Sequence, residues 1–285
     1  MDGTRGNRTR HRLRLATEIA IGLVLILTVA GLTFGLDRPQ ATPPTTTTTE
    51  PMAVVAPPPT TTTTRTPTTR PPTLLERTRA AKGSLAAQAT AQGVTVYVGP
   101  GVDAAVAKRF PPTGQFGAQT TFLVVSESKS GAGGGSYQVL LPQRPNGGTG
   151  WVRKTDVVPV PLTYAVRISL GAHRLDLYEQ GEIRASYPVA VGKRGTLTPM
   201  GDFYMVSKVR PSRQGGPYGV LAIGLSAFSD TLTDWVGGGQ VALHGTNQPA
   251  QIGTDASHGC VRMKNQDILK VSALTPLGTP VTITP

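Results

Sequence analysis

Cysteine and aromatic residues are scarce in this sequence, and each scarcity excludes a class of protein. The chain of 285 residues contains one cysteine, Cys260, so no disulfide can form within it. Aromatic residues make up 5% of the sequence while Gly numbers 34, which favours short strands and turns over bundles of long helices. A cysteine without a partner is a chemical liability unless it is buried or used, so Cys260 requires an explanation.

Acidic residues are also few, with 16 Asp and Glu against 28 Lys and Arg and a formal net charge of +12. Such a balance raises the question of nucleic-acid binding. Part of the excess lies in the N-terminal tail, and the remaining positive charges are scattered without a basic stripe interleaved with aromatic residues. We therefore expect no nucleic-acid partner, although a basic domain would be attracted to anionic surfaces such as membranes or wall polymers.

An apolar run without a charged residue occupies residues 19–36, close to the shortest length that spans a bilayer. Arginines crowd its N-terminal side, which by the positive-inside rule places residues 1–18 in the cytoplasm and the rest of the chain outside. We expect a single-pass transmembrane anchor. A cleaved signal peptide is the alternative, but the run is long for one and no small-x-small cleavage site follows it directly.

A low-complexity segment rich in Pro and Thr follows at residues 37–73. Such a composition cannot bury apolar surface, and its prolines favour extended polyproline II geometry. At about 3.1 Å per residue, the segment could reach on the order of 100 Å. It is predicted to be a linker that holds the following domains away from the membrane.

Residues 74–160 are predicted to form a small β-barrel or sandwich. Residues 74–92 are rich in Ala and compatible with a helix, and glycine-rich turns then separate short strand-like runs. These runs are residues 94–98, 121–125, 136–141 and 150–153. The sequence Y-Q-V-L-L-P, a Gly-rich turn, G-W-V and D-V-V resembles bacterial Src-homology-3-like domains. That resemblance implies wall binding; a spacer barrel without a ligand, with Trp151 in its core, is the alternative.

Residues 162–285 are predicted to form a second, mostly β domain with one or two short helices. Two strand-like runs flank the turn signal E-Q-G-E at residues 179–182, which predicts a hairpin. Residues 267–274 have the pattern of an amphipathic helix, with Asn265 as its cap, and residues 281–283 suggest a final strand. Phe203 and Tyr204 are expected in the core, Asp176 on a solvated strand face, Asp202 and Asp255 in turns, and His173 at the surface.

Two clusters in this domain carry reactive groups: V-A-L-H-G-T, with His244, and S-H-G-C-V-R-M at residues 257–263. A free thiol has a pKa near 8.5, so it becomes a strong nucleophile only when a neighbouring group accepts its proton. His244 and His258 are both available for this role. In a strand, His258 and Cys260 would project from the same face, with Gly259 allowing close approach between them.

The order T-P-x-G-x-F, H-G-T and S-H-G-C-V-R resembles the catalytic domain of L,D-transpeptidases of the YkuD type, over residues 164–283. The resemblance implies that Cys260 is the nucleophile and that His244 is the general base, oriented by the carbonyl of Gly245. It further implies an oxyanion hole formed by backbone N–H groups near Gly259 and Cys260. The remaining implied roles are loop support by Ser257 and His258, and substrate binding by Arg262 and Tyr218.

The family cross-links peptidoglycan stem peptides through a cysteine acyl-enzyme, releasing D-alanine and forming 3→3 links. The implied partners are donor and acceptor stem peptides in the cell-wall space, and no cofactor is expected. If water replaces the acceptor, the enzyme is an L,D-carboxypeptidase. A non-catalytic wall-binding protein, in which the middle barrel is the working part, is the third hypothesis.

Two other chemistries compete for the same residues. His244, His258 and Cys260 could ligate zinc, but no metal-binding spacing such as C-x-x-C accompanies them, and we expect no metal site. Ser257 could be a serine nucleophile, but it lacks the G-x-S-x-G context.

Overall fold

The computed structural model describes residues 73–80, 82–131, 133–213, 215–234 and 237–285. The predicted tail, transmembrane anchor and all but the last residue of the linker lie outside these ranges. Within them, no helix has both the length and the apolar character that crossing a membrane requires.

The first part of the described chain forms one antiparallel sheet preceded by a short helix. Its elements are α1 (Leu74–Ala80), β1 (Ser84–Ala89), β2 (Val94–Tyr97), β3 (Val106–Phe110), β4 (Thr121–Ser128), β5 (Ser136–Leu140), β6 (Thr149–Arg153) and β7 (Val157–Leu162). The seven strands lie in the order β3-β2-β6-β5-β4-β1-β7. The four predicted strands correspond to β2, β4, β5 and β6, whereas β1, β3 and β7 were missed.

The helix predicted over residues 74–92 is wrong beyond its first two turns. Helix α1 ends at Ala80, and the Ala-rich continuation is β1, which pairs with β4 on one side and β7 on the other. Ala86, Ala87 and Ala89 are fully or almost fully buried, so their small side chains suit a crowded central strand. Tertiary pairing here overrides the high helix propensity of Ala. Trp151, expected in the core, is only half-buried.

The second part forms an eight-stranded mixed sheet. Its elements are β8 (Tyr164–Ser169), β9 (Arg174–Glu179), β10 (Glu182–Pro188), β11 (Val191–Gly192), β12 (Gly201–Val209), β13 (Ala222–Phe228), β14 (Gln240–His244), β15 (Asp255–Ser257), β16 (Val261–Arg262), α2 (Asn265–Leu274) and β17 (Pro280–Thr284). The order in the main sheet is β10-β9-β8-β17-β12-β13-β14-β16, and β11 pairs with β15 apart from it.

The hairpin predicted between β9 and β10 is present. Gln180 and Gly181 both have positive φ, at 48° and 89°, as a two-residue hairpin turn requires. The predicted final strand is β17, which lies inside the sheet between β8 and β12 and runs parallel to β8. Local turn chemistry thus identified the hairpin, while the central position of β17 depends on pairing between distant residues.

Phe203 and Tyr204 are core residues, as expected, but they belong to different cores. As neighbours on β12 they point to opposite faces. Phe203 packs in the cluster of the second sheet, whereas Tyr204 packs in the cluster of the first. A side chain of the second sheet therefore completes the core of the first, and the two predicted domains share this contact.

Asp176 was expected on a solvated strand face, and this is wrong. Its side chain is fully buried and accepts hydrogen bonds from Ser186 Oγ at 2.7 Å and Arg167 Nη2 at 2.5 Å, and it pairs with Arg174 Nε at 2.9 Å. Burial alone would raise the pKa of Asp176, but these hydrogen bonds hold it below its ordinary value. The carboxylate joins β8, β9 and β10.

Asp202 and Asp255, which were expected in turns, and His173 also have partners that the sequence did not predict. Asp202 lies in β12 and accepts a hydrogen bond from Thr282 of β17, so it is not a turn residue. Asp255 begins β15, and its Oδ1 lies 2.8 Å from Nε2 of His173. His173 has a positive φ of 47°.

Candidate active site

A short parallel pairing brings the two sequence clusters together. His244 is the last residue of β14 and pairs with Arg262 of β16, while Leu243 pairs with Val261. Cys260 immediately precedes β16. The prediction that His258 and Cys260 lie on one face of a strand is wrong, because residues 258–260 form a bend between β15 and β16.

The residues of both clusters line a surface cleft of about 320 Å³. All the side chains predicted for the site line it: Tyr218, His244, Ser257, His258, Cys260 and Arg262. Gly245 and Gly259 lie next to two of these residues in the chain. The cleft also has a wall that sequence reasoning missed, made by Pro217, Ser229, Leu232, Gly239, Gln240 and Val241.

The imidazole of His244 is held in one orientation and kept neutral. Its Nδ1 lies 2.5 Å from the carbonyl oxygen of Gly245, the contact that the family resemblance implies. A carbonyl oxygen only accepts, so Nδ1 carries the proton and Nε2 is left with a lone pair. Burial lowers the pKa of His244 to about 4, with a further contribution from the positive charge of Arg262, while the Gly245 carbonyl acts in the opposite direction. At neutral pH this side chain is therefore a base.

The Cys260 thiol is half-buried, and burial raises its pKa above the ordinary value. A hydrogen bond with the backbone of Ala242 and the charge of Arg262 act in the opposite direction. A hydrogen bond lowers a thiol pKa when it is donated to sulfur, so the Ala242 N–H is the donor. Because Ala242 precedes His244 by two residues in β14, this bond places the sulfur beside the strand that carries the imidazole.

Ser257 shapes the turn that carries the thiol. Its buried hydroxyl donates to the carbonyl oxygen of Cys260 at 2.5 Å and accepts from the N–H of Gly259 at 3.0 Å. Gly259 has φ +114°, a conformation that side chains rarely adopt. The Ser257 hydroxyl is thus committed to the backbone. The Gly259 N–H is occupied as well, which leaves the N–H of Cys260 as the candidate for an oxyanion donor.

Arg262 is anchored by two glutamines that the sequence analysis did not single out. Its Nη1 lies 2.5 Å from Oε1 of Gln251 and 3.4 Å from Oε1 of Gln248. The backbone of Arg262 also exchanges two hydrogen bonds with Ala190. The glutamines lie more than ten residues before Arg262, one in the short 3-10 helix Pro249–Gln251 and the other at its cap position. Their spacing in the sequence does not predict the contact.

Tyr218 lies against the base. Its ring centroid is 4.9 Å from that of His244, with the planes inclined at 61°, and the residue is 39% exposed. The following residue, Gly219, has φ +61° and fits tightly: a Cβ there would overlap Asn265 Oδ1 and approach the Gly245 carbonyl carbon to 2.5 Å. The close packing of these backbones therefore sets the position of the Tyr218 ring.

Asn265 was predicted to cap the last helix, and this is wrong. Helix α2 begins at Asn265, its cap position is Lys264, and no side chain caps it. Instead, Asn265 Oδ1 accepts the N–H of Thr246 at 3.0 Å. The side chain ties the helix to the H-G-T segment that follows β14. His258 is exposed at the rim of the cleft.

Zinc binding is the competing chemistry for His244, His258 and Cys260. Among the described residues, no group of three or more His, Cys, Asp and Glu side chains is placed to hold a metal ion. One ring nitrogen of His244 is bonded to a carbonyl, and burial keeps the Cys260 thiol protonated at neutral pH. These states suit proton transfer between the two side chains.

The geometry agrees with comparisons to known proteins. The family model described as the L,D-transpeptidase catalytic domain (YkuD) matches residues 163–283. A Bacillus licheniformis protein carrying the name L,D-transpeptidase YkuD is 33% identical over 171 residues, covering 59% of this chain and 88% of that protein.

A Bacillus subtilis protein of the same name is 38% identical over 125 residues, covering 44% of this chain and 68% of that protein. The solved catalytic domain of an E. faecium L,D-transpeptidase is 20% identical, with a TM-score of 0.32, over 42% of this chain and 95% of that one. Because the family model matches residues 163–283 and a relative 33% identical is covered over 88% of its own length, this chain belongs to the L,D-transpeptidase (YkuD) family.

Proposed function

We propose that this protein is a peptidoglycan L,D-transpeptidase that works through a thioester on Cys260. The observation that carries the proposal is the cleft that the Cys260 thiol and the His244 imidazole both line, the imidazole being buried, neutral and fixed in one tautomer. The substrate would be a stem tetrapeptide, cleaved between its third, diamino-acid residue and the terminal D-alanine. The family membership supports this substrate class.

The reaction proceeds by two acyl transfers. The Cys260 sulfur attacks the carbonyl carbon of the third residue while its proton passes to His244 Nε2. The tetrahedral intermediate collapses, the C–N bond breaks, and the D-alanine amine leaves with that proton. The side-chain amine of an acceptor stem then attacks the thioester, a proton passes through His244 to the departing sulfur, and a 3→3 link results.

The resting pair is a protonated thiol and a neutral imidazole, because burial raises the Cys260 pKa and lowers that of His244. Proton transfer before substrate binds is therefore unfavourable. Arg262 lines the cleft and its charge lowers the His244 pKa, so a substrate carboxylate paired with Arg262 would raise that pKa. In this proposal, binding of the donor peptide activates the base.

Tyr218 covers one face of the cleft next to His244, and we assign it to substrate binding. The N–H of Cys260 is the proposed oxyanion donor. Removal of a single donor of this kind can cost roughly 2.7–4 kcal/mol of transition-state stabilisation.

The location of the enzyme is part of the proposal. The apolar run at residues 19–36 and the arginines before it support a single-pass membrane anchor, with the catalytic sheet on the outer side. The Pro/Thr-rich segment would extend the catalytic part into the wall. The seven-stranded sheet is proposed as an Src-homology-3-like wall-binding unit.

The first test uses the full chain in detergent, incubated with a disaccharide tetrapeptide and followed by mass spectrometry. We expect release of D-alanine and formation of a cross-linked dimer, both absent in Cys260→Ala and strongly reduced in His244→Ala. Prolonged exposure to a carbapenem should add its mass to the wild type and not to Cys260→Ala.

Release of D-alanine without dimer would show an L,D-carboxypeptidase instead. A folded, reduced wild type that neither releases D-alanine nor takes up the carbapenem would overturn the enzymatic proposal. The wall-binding hypothesis would then remain, testable by sedimentation with purified peptidoglycan.

A further inference from the structure

The β13–β14 loop, of which the structure describes residues 229–234 and 237–239, lines the catalytic cleft and also contacts the first sheet. Ser229, Leu232 and Gly239 contribute to the wall of the cleft, and Gln240 continues that wall into β14. The base of the loop is closed by the N–H of Ser229, which donates to the carbonyl of Gly239 at 2.8 Å. Part of the substrate-binding surface is therefore a loop rather than a strand.

Arg144, which follows β5 in the first sheet, bridges both legs of this loop. Its Nη1 donates to the carbonyl of Gly238 at 2.6 Å, and its Nη2 donates to the carbonyl of Ser229 at 2.7 Å. The guanidinium carbon also lies 5.0 Å from the ring centroid of Phe228. The planar fork of an arginine can span two carbonyls in this way, whereas an ammonium group is a single point of charge.

Asn146 adds a second attachment to the same strand end. Its Nδ2 donates to the carbonyl of Phe228 at 2.8 Å, and its Oδ1 accepts the N–H of Phe228 at 2.9 Å. The pairing between β12 and β13 ends at the Met205–Leu225 pair, before Phe228 is reached. The side-chain amide thus supplies both hydrogen bonds that a neighbouring strand would have given.

We propose that Arg144 and Asn146 are positioning residues of the active site, through which the first sheet fixes the β13–β14 wall in its substrate-binding position. Neither residue touches the reacting atoms. They act on the loop backbone, at Phe228, Ser229 and Gly238, and the loop presents its surface to the donor or acceptor peptide. The inference rests on the proposed peptidyl-transfer activity and adds that the first sheet is part of the catalytic unit.

The test compares Arg144→Ala, Arg144→Lys and Asn146→Ala in the full chain. The control is Arg153→Ala, because Arg153 makes the same kinds of contact, a hydrogen bond to the Val102 carbonyl at 3.2 Å and stacking on Tyr97 at 4.6 Å, within the first sheet. The readouts are kcat and KM for D-alanine release, the rate of Cys260 alkylation by iodoacetamide, and thermal unfolding.

We expect Arg144→Ala to lower kcat/KM by roughly tenfold to a hundredfold, mainly through KM, since small displacements of binding groups have effects of this size. Alkylation of Cys260 should change little, because the substitution leaves the hydrogen bond of the thiol with Ala242 and the nearby charge of Arg262 in place. Arg144→Lys should resemble the alanine variant, and Asn146→Ala should show a smaller loss of the same kind. Arg153→Ala should keep wild-type kinetics.

A folded Arg144→Ala or Arg144→Lys enzyme with the kinetics of Arg153→Ala would overturn the inference while leaving the proposed function intact. Equal losses in peptide turnover and in alkylation would also overturn it, because they would indicate general damage to the fold. If Arg144→Ala does not fold, Arg144→Lys and Asn146→Ala decide by the same criteria. A wild type without turnover would instead refute the proposed function, and the inference with it.

Discussion

At the scale of single residues, the environment of the thiol determines how its reactivity depends on pH. Burial raises the pKa of Cys260 and lowers that of His244 to about 4, so the pair rests uncharged across the neutral range. The positive charge of Arg262 lowers both pKa values. It therefore opposes the effect of burial on the pKa of Cys260 and adds to the effect of burial on the pKa of His244. The S-H-G-C-V-R and H-G-T segments predict which residues take part, but the protonation of Cys260 and His244 depends on how deeply the fold buries them.

Alkylation of Cys260 by iodoacetamide should therefore increase steadily from pH 6 upward, with a midpoint above the ordinary thiol value of about 8.5. Substitution of Arg262 by Gln should move the midpoint further up, because a positive charge that favours the thiolate is lost. Lys208→Gln, which neutralises a cation outside the cleft-lining set, is the control and should leave the midpoint unchanged. A rate that is already on a plateau at pH 6 would show a preformed thiolate–imidazolium pair and contradict this account.

Asn265 illustrates a role that sequence position alone misassigned. A polar residue at the start of a helix is a reasonable cap, but here the side-chain oxygen is directed to the Thr246 N–H and packs against Gly219 and Gly245. The sequence predicted the end of this helix at residue 274 correctly but placed its start at residue 267, two residues too late. The sequence cannot show that Asn265 contacts Gly219 and the Gly245–Thr246 segment, because these residues are far apart in the chain.

Substitution of Gly219 by Ala should reduce activity strongly, since a Cβ would collide with Asn265 and the H-G-T backbone at a positive φ. We expect kcat/KM to fall about a hundredfold as the Tyr218 ring moves away from His244. Gly215→Ala is the matched control: its φ is also positive, at 77°, but nothing lies within 4 Å of its added Cβ. Equal kinetics for the two variants would exclude a packing effect specific to Gly219.

At the scale of helices and strands, local signals predicted the elements that local chemistry controls. The β9–β10 hairpin follows from its E-Q-G-E turn, and β2, β4, β5 and β6 from runs of β-branched and aromatic residues. Strand β1 was missed because its sequence, S-L-A-A-Q-A, has the composition of a helix. Its identity as a strand is determined by β4 and β7 on either side, which no local pattern reports.

The buried carboxylate of Asp176 should stabilise the edge formed by β8, β9 and β10. Its pKa is lower in the folded protein than in the unfolded chain, so its stabilisation is complete above about pH 4 and is lost as the pH falls through the folded-state pKa. Because Arg167 and Arg174 are partly exposed, we expect Asp176→Asn to cost about 2 kcal/mol at pH 7.

Denaturant unfolding of both proteins from pH 7 to pH 2 would measure this difference, which should shrink below pH 4. Asp255→Asn, which removes an exposed partner of His173, is the control and should change the stability by less than about 1 kcal/mol. A difference that is independent of pH would assign the effect of Asp176→Asn to packing and not to charge.

At the scale of the whole molecule, the division into two β domains, residues 74–160 and 162–285, stays a prediction. β7 ends at Leu162 and β8 begins at Tyr164, close to the predicted division. The contacts between the two sheets were not predicted: Tyr204 completes the first core, and Arg144 and Asn146 bind the end of β13 and the β13–β14 loop. Contacts of this kind depend on shape and distance in three dimensions, and they leave no periodic signature in either segment.

The parallel pairing of β8 with β17 also determines when the complete second sheet can form during synthesis. Val166 pairs with Val281, so more than a hundred residues must emerge between the first strand of the catalytic sheet and its central neighbour. Long-range parallel pairs form slowly because the intervening chain must first be ordered. Until β17 is inserted between them, β8 and β12 cannot belong to one sheet, and the strand that carries His244 stays separate from the edge formed by β8, β9 and β10.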